Sequence, residues 1–546
     1  MHIPRRSEIL ISALFSALFA SATSHPALAQ AGNIYIAQNA AGAANGADCA
    51  DAYSLSILNS ASTWGTSAGQ IGPGTTVHLC GTFTAPAGSS DYIVVQASGS
   101  SVGPITIHFE SNATITAPYW SGPVINLGGS SYITVDGGSN GTIQATANGS
   151  SLASQQNGGV CVSAAGGSNL IIENLTCANL YVRTTASTMP SSSSCGDADD
   201  FGNGITVTGG NSIQIINNVV HDTHWGIIYT GASGGSSENI SISGNNVYDV
   251  DHGIVPNIGN GTTSTISGIY VFGNHLHDFA NWDDASDCDH HDGVHAYDFS
   301  GGTMSNLYVY NNLLDGNAGT NENAGIYIES NDQQGTITSC GVFNNIFNRG
   351  AGGNASGAIA DYSNNGCLDV NNTIYTDMLS VEFTSSTGAT IYNNIICATC
   401  GLGNGSKYLN GGDGGKFATS DYNDFYPAPT VVGSNSFIPP GGNCCIDTLA
   451  NWQKATSFDS HSITVNPNLT SSYTPSSSSA VTSGGLNLYS VCNGQPNPGL
   501  GALCYDAAGN ARPPTGAWTL GAYSATTTAK AAPAPPTGVK GVAVPQ

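Results

Sequence analysis

Between Asn217 and Asn394 the chain sets an Asn before a short, mostly apolar segment seven times: NNVVHD, NNVYDV, GNHLHD, NNLLDG, NNIFNR, NNTIYT and NNIICA. The recurring residues are read as Asn218, Asn246, Asn274, Asn312, Asn345, Asn372 and Asn394, at spacings of 28, 28, 38, 33, 27 and 22. Most units carry a second run opening at Gly, as in GIIYTG, GIVPNIG, GVHAYDFS and GIYIES. Periods of this length mark a solenoid, in which each repeat buries its apolar face only against its neighbours. Short β-branched runs between Gly, Asn and Ser turns predict a parallel β-helix. Asn suits one turn of each coil because it tolerates left-handed geometry and its amide can bond to the Asn above and below. The Leu framework and helical runs of a leucine-rich repeat are missing.

Over roughly residues 31–525 this pattern resembles the pectate-lyase-like superfamily. The resemblance implies an all-β fold, a single-stranded right-handed parallel β-helix with an N-terminal cap and a C-terminal closing segment. That fold hosts lyases, hydrolases, epimerases, adhesins and tailspikes, so activity has to be argued from a site. The end of the chain, YDAAGNARPPTGAWTLGAY at 505–523, is similar to the Asp–Gly–Arg and Gly-Ala-Tyr finish of exported bacterial β-helix proteins. Asp506, Gly509, Arg512 and Gly521-Ala522-Tyr523 carry that similarity, which implies that this segment closes the last coil.

Residues 1–29 read as a secretory signal, with Arg5 and Arg6, an apolar run from Ile9 to Ala20, and Ala27-Leu28-Ala29 as the cleavage site. Residues 30–75 are expected to cap the solenoid, 76–525 to form it with the most regular coils at 203–400, and 526–546 to be a Pro/Ala-rich tail. An exported, monomeric protein without membrane insertion follows. Its 14 cysteines suit an oxidising compartment. Chain order suggests the pairs Cys49–Cys80, Cys161–Cys177, Cys340–Cys367, Cys397–Cys400 and Cys492–Cys504, leaving Cys195, Cys288, Cys444 and Cys445 to pair among themselves or otherwise. A metal site at Cys397-x-x-Cys400 is the rival reading. The formal net charge is −25, and loss of Arg5, Arg6 and Glu8 with the signal makes it −26. Such a surface argues against nucleic acid and anionic membranes, and it repels a polyuronate unless cations bridge the contact.

Equal register in a parallel stack means neighbourhood, at about 4.8 Å per coil. Aligned on the Gly of the second run, the column two residues before it holds His224, Asp251, His291 and Asn323. The next column holds Trp225, His252, Asp292 and Ala324. Two residues after the Gly stand His295 and Tyr327, and four after stand Tyr297, Glu329 and Asp361. The coil ending at Gly293 also has 11 or 12 inserted residues, NWDDASDCDHH in its core, beside this patch. Inserted loops on a rigid face commonly carry function. Asp292, His291, His295, Asp251 and His252 are therefore the candidate catalytic set. His224, Trp225, Tyr297, Tyr327, Glu329 and Arg349 are the candidate substrate contacts. Asp283, Asp284, Asp287 and Asp289 are the candidate ligands of a calcium ion, since hard oxygen donors at this density suit it.

The expected function is cleavage of a glycosidic bond in a polysaccharide by a hydrolase- or lyase-type enzyme. Two carboxylates would serve a hydrolase, at about 5 Å for retention and about 6.5–9.5 Å for inversion. Asp292-Gly293 is similar to part of the Asn-Thr-Asp-Gly segment of polygalacturonase-type hydrolases, and His252-Gly253 to part of their Gly-His-Gly. Asp289, His291 and Asp292 are similar to the Asp-Pro-His-Asp segment of alginate epimerases, which implies the alternative of a uronate C5-epimerase. A lyase with an Arg or Lys base is disfavoured, because residues 31–400 hold only Arg183 and Arg349. A His/Tyr proton transfer stays open. The non-enzymatic alternative is a polysaccharide-binding or adhesin solenoid.

Overall fold

The computed structural model describes residues 32–148, 159–180, 202–259, 263–280, 291–319, 322–330, 335–350, 357–362, 366–375, 379–382, 388–398, 400, 407–411, 417–429, 436–440, 442 and 445–525. These form a parallel β-helix. Each coil has three faces. The first is a continuous parallel sheet that includes Ile213–Ile216, Ser236–Ser243, Thr265–Phe272, Thr303–Tyr310 and Gly341–Phe343. The second and third faces are joined in the middle coils, where Val219–Thr230 and Asn246–Ile258 run unbroken around the corner. The start of Val219–Thr230 pairs with Thr176–Ala178 and its end with Asn203–Thr208.

Inward residues stack like on like. Ile215, Ile242, Val271, Val309 and Val342 share one column and are fully buried. Each such side chain contributes about 1.5–3 kcal/mol. The N-terminal end is covered by the short helix Leu55–Leu58, whose Leu55 and Leu58 are buried, and by Trp64. At the other end Trp452, on the helix Leu449–Thr456, stacks on Phe437 at 5.0 Å. The closing segment runs back along the side of the solenoid. Leu488, Leu503 and Trp518 pack on the outward Tyr310, Phe343 and Val370 of the first face. Buried Arg512 anchors it by donating to Asn344 Oδ1 at 2.8 Å.

The turn between the first two faces divides its work between two adjacent residues. One takes the left-handed conformation: Asn217, Gly244, Gly273, Asn311, Asn344, Asn371 and Asn393 all have φ between +55° and +66°. The next residue forms a buried amide ladder. Asn218, Asn245, Asn274, Asn312, Asn345, Asn372 and Asn394 each pass their side-chain Nδ2–H to the Oδ1 of the following member, at 3.0–3.2 Å, and the ladder ends at Asn423. Six of the seven Asn expected from the repeat stand in this ladder. The exception is Asn246, displaced because Gly244 fills the left-handed position and Asn245 the ladder.

All five local disulfides expected from chain order form, so Cys397 and Cys400 are bonded to each other and do not bind a metal. Cys445 is disulfide-bonded as well. Cys195, Cys288 and Cys444 lie outside the described residues, as do the expected signal at 1–29 and the tail at 526–546. No helix among the described residues is long and apolar enough to cross a membrane.

Asp424, on the last regular coil, is sealed beneath residues 463–465 and accepts a bond from Val465 N at 2.9 Å. Burial pushes its carboxyl up to about 8 from an ordinary 3.8. The folded chain therefore keeps a proton that the unfolded chain releases near pH 4. This contribution to stability is complete below about pH 4 and is lost as pH rises to about 8. Asp424→Asn should gain on the wild type by up to about 1.4 kcal/mol per pH unit across that window. Thermal unfolding of both proteins at several pH values checks this, and parallel curves would refute it.

Candidate functional site

Four neighbouring strands carry the patch: Val219–Thr230, Asn246–Ile258, His291–Asp298 and Glu322–Ser330. Their registers place Trp225, His252, Asp292 and Ala324 in one column, with His295 beside Tyr327 and Tyr297 beside Glu329. The Gly opening each run allows this packing. A Cβ on Gly226, Gly253 or Gly293 would come within 2.5 Å of the carbonyl of the next Gly in the column. These glycines serve the close approach of one coil to the next, rather than the approach of a ligand.

The side chains form a continuous network of imidazoles and carboxylates. His252 is clasped from both sides: Nδ1–H donates to Asp251 Oδ2, and Nε2 lies 3.3 Å from Asp292 Oδ2. Asp251 also accepts from His291 Nδ1 at 3.3 Å and from Trp225 Nε1 at 3.3 Å, and His224 Nε2 stands 3.6 Å away. Asp292 Oδ1 accepts the backbone N–H of Ala324 at 2.8 Å, which fixes the carboxylate. Its Oδ2 is 3.4 Å from His295 Nδ1, and His295 Nε2 is 3.4 Å from Glu329 Oε2. The His295 ring is sandwiched between His252 and Tyr327, at centroid distances of 5.2 and 4.7 Å.

Electrostatics follow from this arrangement. Burial opposes a charge on His252, but Asp251 first and then Asp292 outweigh it and push its pKa up to about 10. Burial likewise works against the Asp251 carboxylate, yet His252, His291 and His224 hold it well below its usual value. Burial, with the charges of Glu329 and Asp292, drives the Tyr327 hydroxyl far above its usual range. Burial and Glu329 push Tyr297 up to about 12.

The structure thus brings together His224, Trp225, Asp251, His252, His291, Asp292, His295, Tyr297, Tyr327 and Glu329. It does not present them evenly. His291 and Asp292 have no exposed surface, and Asp251 has 1%. Trp225, Tyr297 and Glu329 are half-buried and reach solvent. The space between Asp251 and Asp292 is filled by the His252 ring, so these two carboxylates do not flank a sugar. Glu322, missed by column counting, pairs with His291 because Asn323 bulges out of register. One coil on, Gly357 pairs with Ala324, so Tyr362 lies beside Glu329, and Asp361 lies beside core-facing Ile328. The backbone of Arg349 pairs with Gly316 on the second face, and its side chain lies outside the description. Asp283, Asp284, Asp287 and Asp289, the expected calcium ligands, lie outside the described residues too.

No protein-family model matches this chain, and no curated protein matches it. Among solved structures, pectate lyase Pel9A is similar over 91% of this chain and 98% of its own, at 14% identity and a TM-score of 0.44. The GH136 lacto-N-biosidase from Eubacterium ramulus is similar over 69% of this chain and 65% of its own, at 11% identity and a TM-score of 0.38.

Proposed function

We propose that this chain is an exported carbohydrate-active enzyme that cleaves a polysaccharide by proton transfer at Glu329. One observation carries the reading: Glu329 is the half-exposed end of the line Asp251–His252–Asp292–His295–Glu329, whose other members are buried. A carboxylate that meets solvent on one side and an oriented imidazole on the other can take up and return a proton. Asp292 has no exposed surface and does not reach the polysaccharide. It is a positioning residue that holds His295 toward Glu329. Half-buried Tyr297 and Trp225 supply aromatic faces suited to a sugar ring. The five disulfides support an oxidising compartment, and hence export.

A panel of neutral and acidic polysaccharides tests the reading. New reducing ends without ultraviolet absorbance indicate hydrolysis, and new ends with the absorbance of an unsaturated sugar indicate elimination. Inverted uronate configuration without cleavage would favour the epimerase alternative. Tight binding with an unchanged polymer would leave a binding solenoid and refute cleavage.

A further inference from the structure

We propose that His252, Asp292 and His295 bind one divalent transition-metal ion, with zinc as its simplest representative. His252 Nε2, Asp292 Oδ2 and His295 Nδ1 converge, all within 4.8 Å of one another. The two separations to Asp292 Oδ2, 3.3 and 3.4 Å, match the roughly 3.3 Å between ligands set at about 2.0–2.1 Å around a tetrahedral ion. The His252 and His295 rings are stacked at 21°, so one of them would turn to bring both lone pairs onto the ion.

Each ligand is also held as a metal ligand has to be. Metal-binding histidines give their other ring nitrogen to a carboxylate or carbonyl, which fixes the tautomer and turns the lone pair toward the ion. Both histidines here do so, through Asp251 on His252 Nδ1 and Glu329 on His295 Nε2. The third ligand, Asp292, has its Oδ1 tied to the Ala324 N–H, leaving Oδ2 facing both rings. All three residues are at most 5% exposed, so their geometry is set by packing and not by solvent. Two nitrogen donors select against calcium and for a borderline cation, and three protein ligands leave a fourth position for water or a substrate oxygen. Such an ion would also give this acidic chain a positive charge at the site.

The test is calorimetric titration of the full mature chain, stripped with chelator, with zinc alone. We expect one equivalent to bind the wild type. His295→Gln, His252→Gln and Asp292→Asn should each weaken binding on the order of 10²-fold, and Asp251→Asn by about 10–100-fold. His461→Ala, which removes an exposed imidazole paired with Asp421, should leave binding unchanged. Visible absorption of the cobalt-loaded wild type gives a second readout that needs no variant: intense bands are expected for a four-coordinate site. Absence of stoichiometric binding, or variants that bind as the wild type does, overturns the proposal. A chain that binds the ion and cleaves no polysaccharide would refute the cleavage reading alone. A chain that cleaves a polysaccharide and takes up no zinc in the titration would refute the metal site alone.

Discussion

Asn245→Leu should lower stability on the order of 5 kcal/mol, whereas Asn246→Leu, at the adjacent position, should lower it by about 1 kcal/mol or less. Asn245 Oδ1 accepts both the backbone N–H and the side-chain Nδ2–H of Asn218, and its own Nδ2 donates to the Ile215 carbonyl and to Asn274 Oδ1. Leu keeps the four side-chain heavy atoms and the branch at Cγ, so the main loss is one of hydrogen bonds. It strands an N–H, an amide and a carbonyl in the interior. Each orphaned buried group costs about 1–3 kcal/mol. Against a typical domain stability of about 5–15 kcal/mol, such a loss could prevent folding. Asn246 offers a single side-chain bond, to half-buried His277 at 3.0 Å. Urea midpoints of the two variants, disulfides intact, check the contrast. Equal midpoints would contradict the ladder.

That pair of residues also marks how far the fold could be read without coordinates. The repeat period led to a parallel β-helix because short apolar runs between turn residues have few other ways to bury their faces. It did not show which Asn of NNVYDV enters the ladder. The decision belongs to Gly244, whose left-handed backbone sets the register and which looks like an ordinary turn glycine in the sequence. The clustering of His224, Asp251, His252, Asp292, His295, Tyr327 and Glu329 was legible for the same geometric reason. A strand-by-strand register turns columns into contacts. Column counting failed where one residue was gained or lost, at Asn323 and at Gly357, so Glu322 fell outside the aligned columns and Asp361 was set on the wrong side of its strand. Burial was not legible either. Nothing in the spacing shows that Asp292 is closed off while Glu329 reaches solvent, the difference on which the proposed exchange of their roles rests.

Glu329→Gln should lower kcat by about 10²–10⁴-fold on whichever polysaccharide the wild type cleaves, because an acid–base group contributes about that much. Gln keeps the size of the side chain and can still bond to His295, so melting temperature and disulfide content should not change. Asp292→Asn should lower kcat as well, on the order of 10²-fold, with little change in KM. Its amide would still accept from Ala324 through Oδ1 but would no longer hold the His295 imidazole by charge. A purely structural part for Asp292 would lower the melting temperature and leave kcat per folded molecule alone. The most direct measurement is therefore kcat of Glu329→Gln beside wild type on one cleaved polysaccharide, each normalised to folded protein. The expected result is a loss of at least about 10²-fold with an unchanged melting curve. A variant that turns over at the wild-type rate would contradict Glu329 as the proton-transfer group and with it the proposed site.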